Sequence, residues 1–237
     1  MGARPWLFCA FVVAFFLAVF RIDVEVGLGG QLVLGVATWL VLFAALRPLT
    51  PEGRLRVLLV VAAATCMEVL GSIIWGVYTY RLHNLPLFVP PGHGLVYLTG
   101  LRLTQTALVS RHKGRFLAAV AAVALGWGIA GLTILPRTDA SGALGISVFL
   151  LFLWRGRARV LYAAVFLVVG MLELSGTAVG VWAWKGTVPG LELPSGNPPS
   201  GAASGYVLFD IVAIALTAKL MPLVERVLRP RAQQAEA

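Results

Sequence analysis

Two glutamates, Glu68 and Glu173, lie deep inside apolar runs of a chain in which only 12% of residues are charged. A carboxyl group surrounded by hydrocarbon disfavours its charged form. It can therefore hold a proton near neutral pH and deliver it as a general acid. Asp210 and Arg102 sit at comparable depth in two further apolar runs. A charge at the centre of a bilayer costs about 2.5–3.5 kcal/mol on insertion scales, so such residues turn inward and find partners. These ionisable groups at one level predict a single central polar cavity. Plainer roles also fit: Arg102 with Asp210 as an interhelical ion pair, and the glutamates as neutral acids bonded to backbone or hydroxyl groups.

Other residues cluster around these. Thr65, Glu68, Ser72 and Trp75 fall on one helical face, Thr99, Arg102, Gln105 and Thr106 form a second polar stripe, and Tyr206, Asp210 and Thr217 a third. Trp75, Tyr78, Tyr80, Trp182 and Trp184 gather beyond the glutamates, where aromatic faces can stabilise a cation or form an interfacial belt. His83 and His93 flank a Pro-rich loop. Two histidines ten residues apart make a weak metal set, so no metal is expected, and His93 reads as a proton or hydrogen-bonding group. The spacings Gly176–Gly180 and Gly201–Gly205 suit close helix approach. No Walker loop, GxSxG elbow, HExxH or redox CxxC occurs, and no cofactor is implied.

The elements that hold these residues follow from composition. Of 237 residues, 59% are hydrophobic, whereas a soluble domain carries about 25% charged residues. Apolar runs approach the ~20 residues that cross hydrocarbon. The predicted fold is all-α, a polytopic membrane bundle of about eight helices over 5–21, 27–46, 55–80, 93–110, 115–135, 140–154, 159–184 and 203–228. The first is read as a retained helix rather than a cleaved signal. The net charge of +9 does not point to nucleic acid, because the basic residues fall between apolar runs. With a cytoplasmic N-terminus, the inner segments carry Arg4, Arg47, Arg54, Arg56, Arg111, Lys113, Arg115, Arg155, Arg157, Arg159, Arg226, Arg229 and Arg231. The outer loops carry only Arg21, Arg81, Arg137 and Lys185. That asymmetry predicts both termini inside a plasma membrane. Cys9 and Cys66 read as small buried hydrophobes.

The chain also resembles itself. Glu68-x-x-Gly71 followed by Gly76-Val77-Tyr78-Thr79-Tyr80 answers Glu173-x-x-Gly176 followed by Gly180-Val181-Trp182-Ala183-Trp184. Each segment leads through a Pro-Pro loop, Pro90-Pro91 or Pro198-Pro199, to a tyrosine, Tyr97 or Tyr206. Two parallel four-helix repeats, 1–113 and 114–237, are predicted, related by an axis along the membrane normal.

Glu68-x-x-Gly71, Gly76-Val-Tyr78-Thr-Tyr80 and Leu85-Pro86-Leu-Phe-Val-Pro90 resemble motifs of the bacterial and archaeal carotenoid-biosynthesis membrane hydratases, as does Gly180-Val-Trp182-Ala-Trp184. The likeness covers about 60 residues in two patches. Where that family would place Asn followed shortly by Gly-Trp, this chain has Asn197 followed by Pro198-Pro199-Ser200. The resemblance implies acid-catalysed addition of water to a terminal alkene of a membrane-dissolved isoprenoid, or cyclisation where water is excluded. Glu68 first and Glu173 second would protonate the alkene. Trp75 and Tyr78 would stabilise the cation, and Asp210 or His93 would position water. Tyr97, Arg102, Trp182, Tyr206 and Asn197 complete the expected substrate site. A carrier, with Glu68, Glu173 and Asp210 as proton or cation sites, and a non-catalytic envelope subunit are the alternatives.

Overall fold

Residues 5–228 are described in a computed structural model, with side chains as far as Leu223 apart from that of Asp210. Arg4, Arg229 and Arg231, assigned above to the inner face, lie outside the described residues. The helices are α1 (Pro5–Asp23), α2 (Leu28–Leu46), α3 (Pro51–Glu68), α4 (Val89–Thr104), α5 (Ala107–Arg111), α6 (Lys113–Thr133), α7 (Ala140–Arg155), α8 (Arg159–Val179) and α9 (Ser204–Leu228). Short strands β1 (Tyr78–Tyr80), β2 (Trp182–Trp184), β3 (Thr187–Val188) and β4 (Leu193–Pro194) complete the described elements. The chain is all-α in class. Among the described residues, six helices are long and apolar enough to cross a membrane: α1, α2, α3 with its π extension to Trp75, α6, α8, and α9 as far as Leu223. That set is compatible with a multi-pass membrane protein. The remaining two of the eight predicted helices, α4 and α7, have 16 residues each, short of the ~20 of a full crossing.

Three of the expected helices stop early: the one drawn over 93–110 ends at Thr104 and resumes only as α5, and a single device stops the other two. The helix drawn over 55–80 leaves α geometry after Glu68, continues as a π-helical segment (Val69–Trp75) and ends at Gly76 with φ +70°. The helix drawn over 159–184 ends at Val179, before Gly180 with φ +85°. A residue in this left-handed region caps a helix, and glycine reaches it without steric cost. After each glycine the chain is extended. β1 and β2 then pair antiparallel, with Tyr78 opposite Trp184 and Tyr80 opposite Trp182. Side chains alternate across a strand, so both aromatics of each pair face the same way. Gly180 is thus a cap and not part of a helix-packing stripe. Gly176 does mark a close approach, but to the Trp182 ring, which a Cβ there would strike.

The centre of the bundle is α4 and α8. α8 packs on α4, α6, α7 and α1, and α4 also meets α3, α1 and α2. From Pro91 to Gly100 every residue of α4 is buried. α3 lies mainly against α9 and α4. Gly100 faces Val165 on α8 so closely that a Cβ would collide with it. Gly100→Leu should therefore separate the two central helices and cost about 1–3 kcal/mol, read from thermal unfolding in detergent.

The connections 24–27, 76–88, 134–139 and 180–203 gather at one end. Arg81 ties α1 to the 76–88 segment by donating to the carbonyls of Asp23 and Val26. Asn84 Nδ2 donates to Gln31 Oε1 (2.6 Å), and Gln31 Nε2 to Asp23 Oδ1 (2.9 Å). The opposite connections, 47–50, 105–106, 112 and 156–158, carry or adjoin most of the arginines.

Candidate functional site

Each glutamate is held by the aromatic pair that follows it. The hydroxyls of Tyr78 and Tyr80 both donate to Glu68 Oε2, at 2.6 Å each. The other oxygen, Oε1, lies 3.0 Å from His93 Nε2. On the second side, Trp182 Nε1 and Trp184 Nε1 donate to Glu173 Oε2 at 2.9 and 3.1 Å. Glu173 Oε1 takes no hydrogen bond from the described residues. Burial, reinforced by the adjacent Glu68 charge, raises the Tyr78 and Tyr80 phenols well above their ordinary range. Both therefore stay protonated as donors.

The ribbon of β1 and β2 joins these two arrangements. The Tyr78 ring lies 4.5 Å from that of Trp184, and the Tyr80 ring 6.1 Å from that of Trp182. Phe20 of α1 meets Trp182 edge-on at 5.2 Å. The rings bound a cavity of about 250 Å³ that both glutamates line. At about 30 Å³ per water, it has the room of roughly eight waters, which suits the end of a lipid chain rather than a whole lipid. Apart from Glu68, Glu173, His93 and the phenols and indoles, its walls are apolar, with Phe16, Phe88, Val96, Val169 and Leu172 among them. Met67, Leu70 and Trp75 line it too, yet each is at least 40% exposed on the outside of the bundle. The cavity thus has an apolar flank at the surface where lipid would lie.

The predicted site residues divide. Glu68, Glu173, His93, Trp75, Tyr78, Trp182 and Tyr206 all line the cavity. His93 is buried one turn into α4, with its ring 5.0 Å from that of Tyr206, and is not at an outer mouth. Arg102 is a correction: it sits in the last turn of α4, bonds Gln105 Oε1 at 3.1 Å and does not line the cavity. Tyr97 is buried in the core beside the cavity without lining it. Asn197 is also away from the cavity wall, where its Oδ1 accepts the Trp184 backbone N–H (2.9 Å) and so fixes β2 from behind. The Asp210 side chain lies outside the described residues, and so does its pairing with Arg102.

The polar stripes are mostly local. Thr65, Ser72, Thr99 and Thr217 each return the hydroxyl to a carbonyl four residues back, leaving little for a ligand. Among the described residues no group of three or more His, Cys, Asp or Glu could hold a metal ion. Sequence reasoning left Tyr80 and Trp184 out of the site, although each donates to a glutamate. Their recurrence at the second aromatic position of each repeat was the available signal. Two buried carboxylates were missed outright: Asp23, bonded by Gln31, and Asp139, bonded by three backbone N–H groups. Comparison with protein-family models, with curated proteins and with solved structures returns no match.

Replacing Arg102 by Gln should leave both stability (within about 0.5 kcal/mol) and any reaction in the cavity unchanged. Unfolding curves and product analysis on the same preparation check this.

Proposed function

We propose that the chain adds water to an alkene at the end of a membrane-dissolved isoprenoid, forming a tertiary alcohol. One observation carries the reading: two carboxyl groups, each fixed by a pair of aromatic donors, line a single apolar cavity with exposed apolar residues on its flank. An isoprenoid end would enter sideways past Met67, Leu70 and Trp75 while the rest of the chain stays in the bilayer.

The donors divide the roles, in the reverse of the order the resemblance implied. Glu68 accepts from two phenols, and its remaining oxygen meets His93, an arrangement that suits a carboxylate. Glu173 accepts only neutral indole N–H groups at one oxygen, which leaves Oε1 to carry a proton. Glu173 gives that proton to one alkene carbon, and the π electrons form the new C–H bond. The tertiary cation left on the other carbon lies among the faces of Tyr78, Trp182, Trp184 and Phe20, and such contacts stabilise cations by about 0.5–2 kcal/mol. Water bonds to the cation and passes one proton to Glu68 or His93. Return of that proton to Glu173 closes the cycle, and no oxidant or cofactor takes part.

The architecture proposed with this reading is two parallel repeats, 1–113 and 114–237, with both termini at the cytoplasmic face of the plasma membrane. Exchanged contacts support the pairing of halves: α3 packs on α9, and its counterpart α8 packs on α4. The test is mass spectrometry of lipid extracts from an isoprenoid-producing host with and without this chain. Expression should yield species heavier by one water. Unchanged extracts, with uptake of a solute in proteoliposomes, would replace the reaction with transport.

A further inference from the structure

Beside the cavity lies a second hollow, of about 180 Å³, lined by Ser72, Ile73, Thr79, Tyr80, His83 and Asn84. Its lining differs in kind from that of the first: five of these six side chains are polar. His83 is exposed at its rim, Thr79 and Asn84 are half-buried, and Ser72 and Tyr80 are buried at its floor. Its lining therefore runs from exposed to buried side chains. At about 30 Å³ per molecule it has room for roughly six waters.

One side chain connects this hollow to the glutamate site. Tyr80 lines both spaces, and its hydroxyl ends on Glu68 Oε2 at 2.6 Å. Asn84 supplies the argument for water. Its Nδ2 is engaged by Gln31, while its Oδ1 is buried and has no partner among the described residues. A buried amide oxygen left unpaired is destabilising, and a polar hollow of this size lets water satisfy it.

We infer that this hollow is a hydrated vestibule that delivers water and protons from the loop-rich end to Glu68 across Tyr80. This inference rests on the hydration reading for its purpose, but its geometry does not. An alkene hydratase has to admit two reactants of opposite solubility to one point. The large cavity has an apolar flank for the chain, whereas the vestibule offers a polar path for water. Separate paths keep bulk water off the cation until the floor of the vestibule releases one molecule.

The test is cysteine accessibility in lipid nanodiscs, where both aqueous faces can be reached. Cys9 and Cys66 are first replaced by serine, and Ser72→Cys, Thr79→Cys and Ile74→Cys are made separately. The probe is a small cationic methanethiosulfonate, which partitions into water and not into lipid. Ile74 is 71% exposed but belongs to the membrane-spanning helix, so it reports lipid-facing exposure. Thr79→Cys and Ser72→Cys should be modified at least ~10-fold faster than Ile74→Cys, and Asn84→Trp should slow both by filling the vestibule. Ser72→Cys changes one atom, so it reports even where the Thr79 variant folds poorly. Equal or slower labelling of both cysteines than of Ile74→Cys overturns the vestibule. Hydration that persists with unlabelled cysteines would overturn this route alone. Fast labelling in a protein that leaves lipid extracts unchanged would uphold the vestibule and remove the reaction.

Discussion

Glu173→Gln is expected to lower hydration by about 10²–10⁴-fold, the range general acid catalysis supplies, without unfolding the protein. Glutamine keeps an oxygen to accept the Trp182 and Trp184 N–H groups and matches glutamate in shape, so the ribbon should stay in place. It lacks only the proton. Glu68→Gln should fail differently. It removes the carboxylate that takes the water's proton directly or through His93, so the cation still forms but is captured poorly. In deuterated water the two variants separate. Glu68→Gln should return alkene carrying deuterium, because protonation by Glu173 reverses faster than water adds. Glu173→Gln should return alkene without it. Product and recovered substrate are read together by mass spectrometry of the extracted lipid. Deuterium exchange lost in Glu68→Gln and kept in Glu173→Gln would invert the assigned roles and restore the order expected from the sequence. Exchange surviving in both would remove the carboxyls from the chemistry.

The helices were legible because hydrophobic runs report burial in lipid directly. Six of the predicted runs match helices long enough to span, within a few residues at most ends. At 76–80 and 180–184, where the helix expectation overruns, the local pattern has the period of a strand. Val-aromatic-x-aromatic alternates every second residue, as a strand does. Two strands of three residues are too short to stand out beside long apolar helices, and neither is stable until it finds the other. Their partnership is a contact between residues 78 and 184, which no local reading contains. The glycines before them recur in the sequence, but the left-handed caps they provide exist only in the folded backbone.

The site was legible to the extent that burying a carboxyl in hydrocarbon demands donors. That argument singles out Glu68 and Glu173, which the structure brings to one cavity, whereas His93 is singled out by its place beside the Pro-rich loop. It overreached with Arg102, because a long side chain near a helix end has a local alternative in Gln105. It passed over Asp23 and Asp139 because both sit at the edges of apolar runs, where a charge normally meets water. Burial there comes from loops folding back, and loop paths leave little trace in hydropathy.

Asp139 carries the largest expected stability effect. Its side chain is buried at the start of α7, where Oδ1 accepts from the backbone of Gly142 (3.0 Å) and Gly196 (2.9 Å), and Oδ2 from Ser200 (2.7 Å). It caps α7 and pins the 196–200 loop to it with one carboxylate. Asp139→Ala strands all three N–H groups, each costing about 1–3 kcal/mol, and should destabilise the protein by about 3–5 kcal/mol in all. Asp139→Asn keeps an oxygen for the two donors at Oδ1 but turns an NH₂ toward the Ser200 N–H, so it should lose roughly half as much. Thermal unfolding in detergent ranks the variants, and a loss under about 1 kcal/mol for the alanine would mean that the loop holds without this anchor. The consequence reaches the cavity through a short path. Asn197, within the pinned loop, holds the backbone of Trp184, and Trp184 holds Glu173. A loop freed from Asp139 should therefore loosen the indole that orients the proposed acid. Product formation in Asp139→Asn should fall below wild type even at temperatures where the variant remains folded.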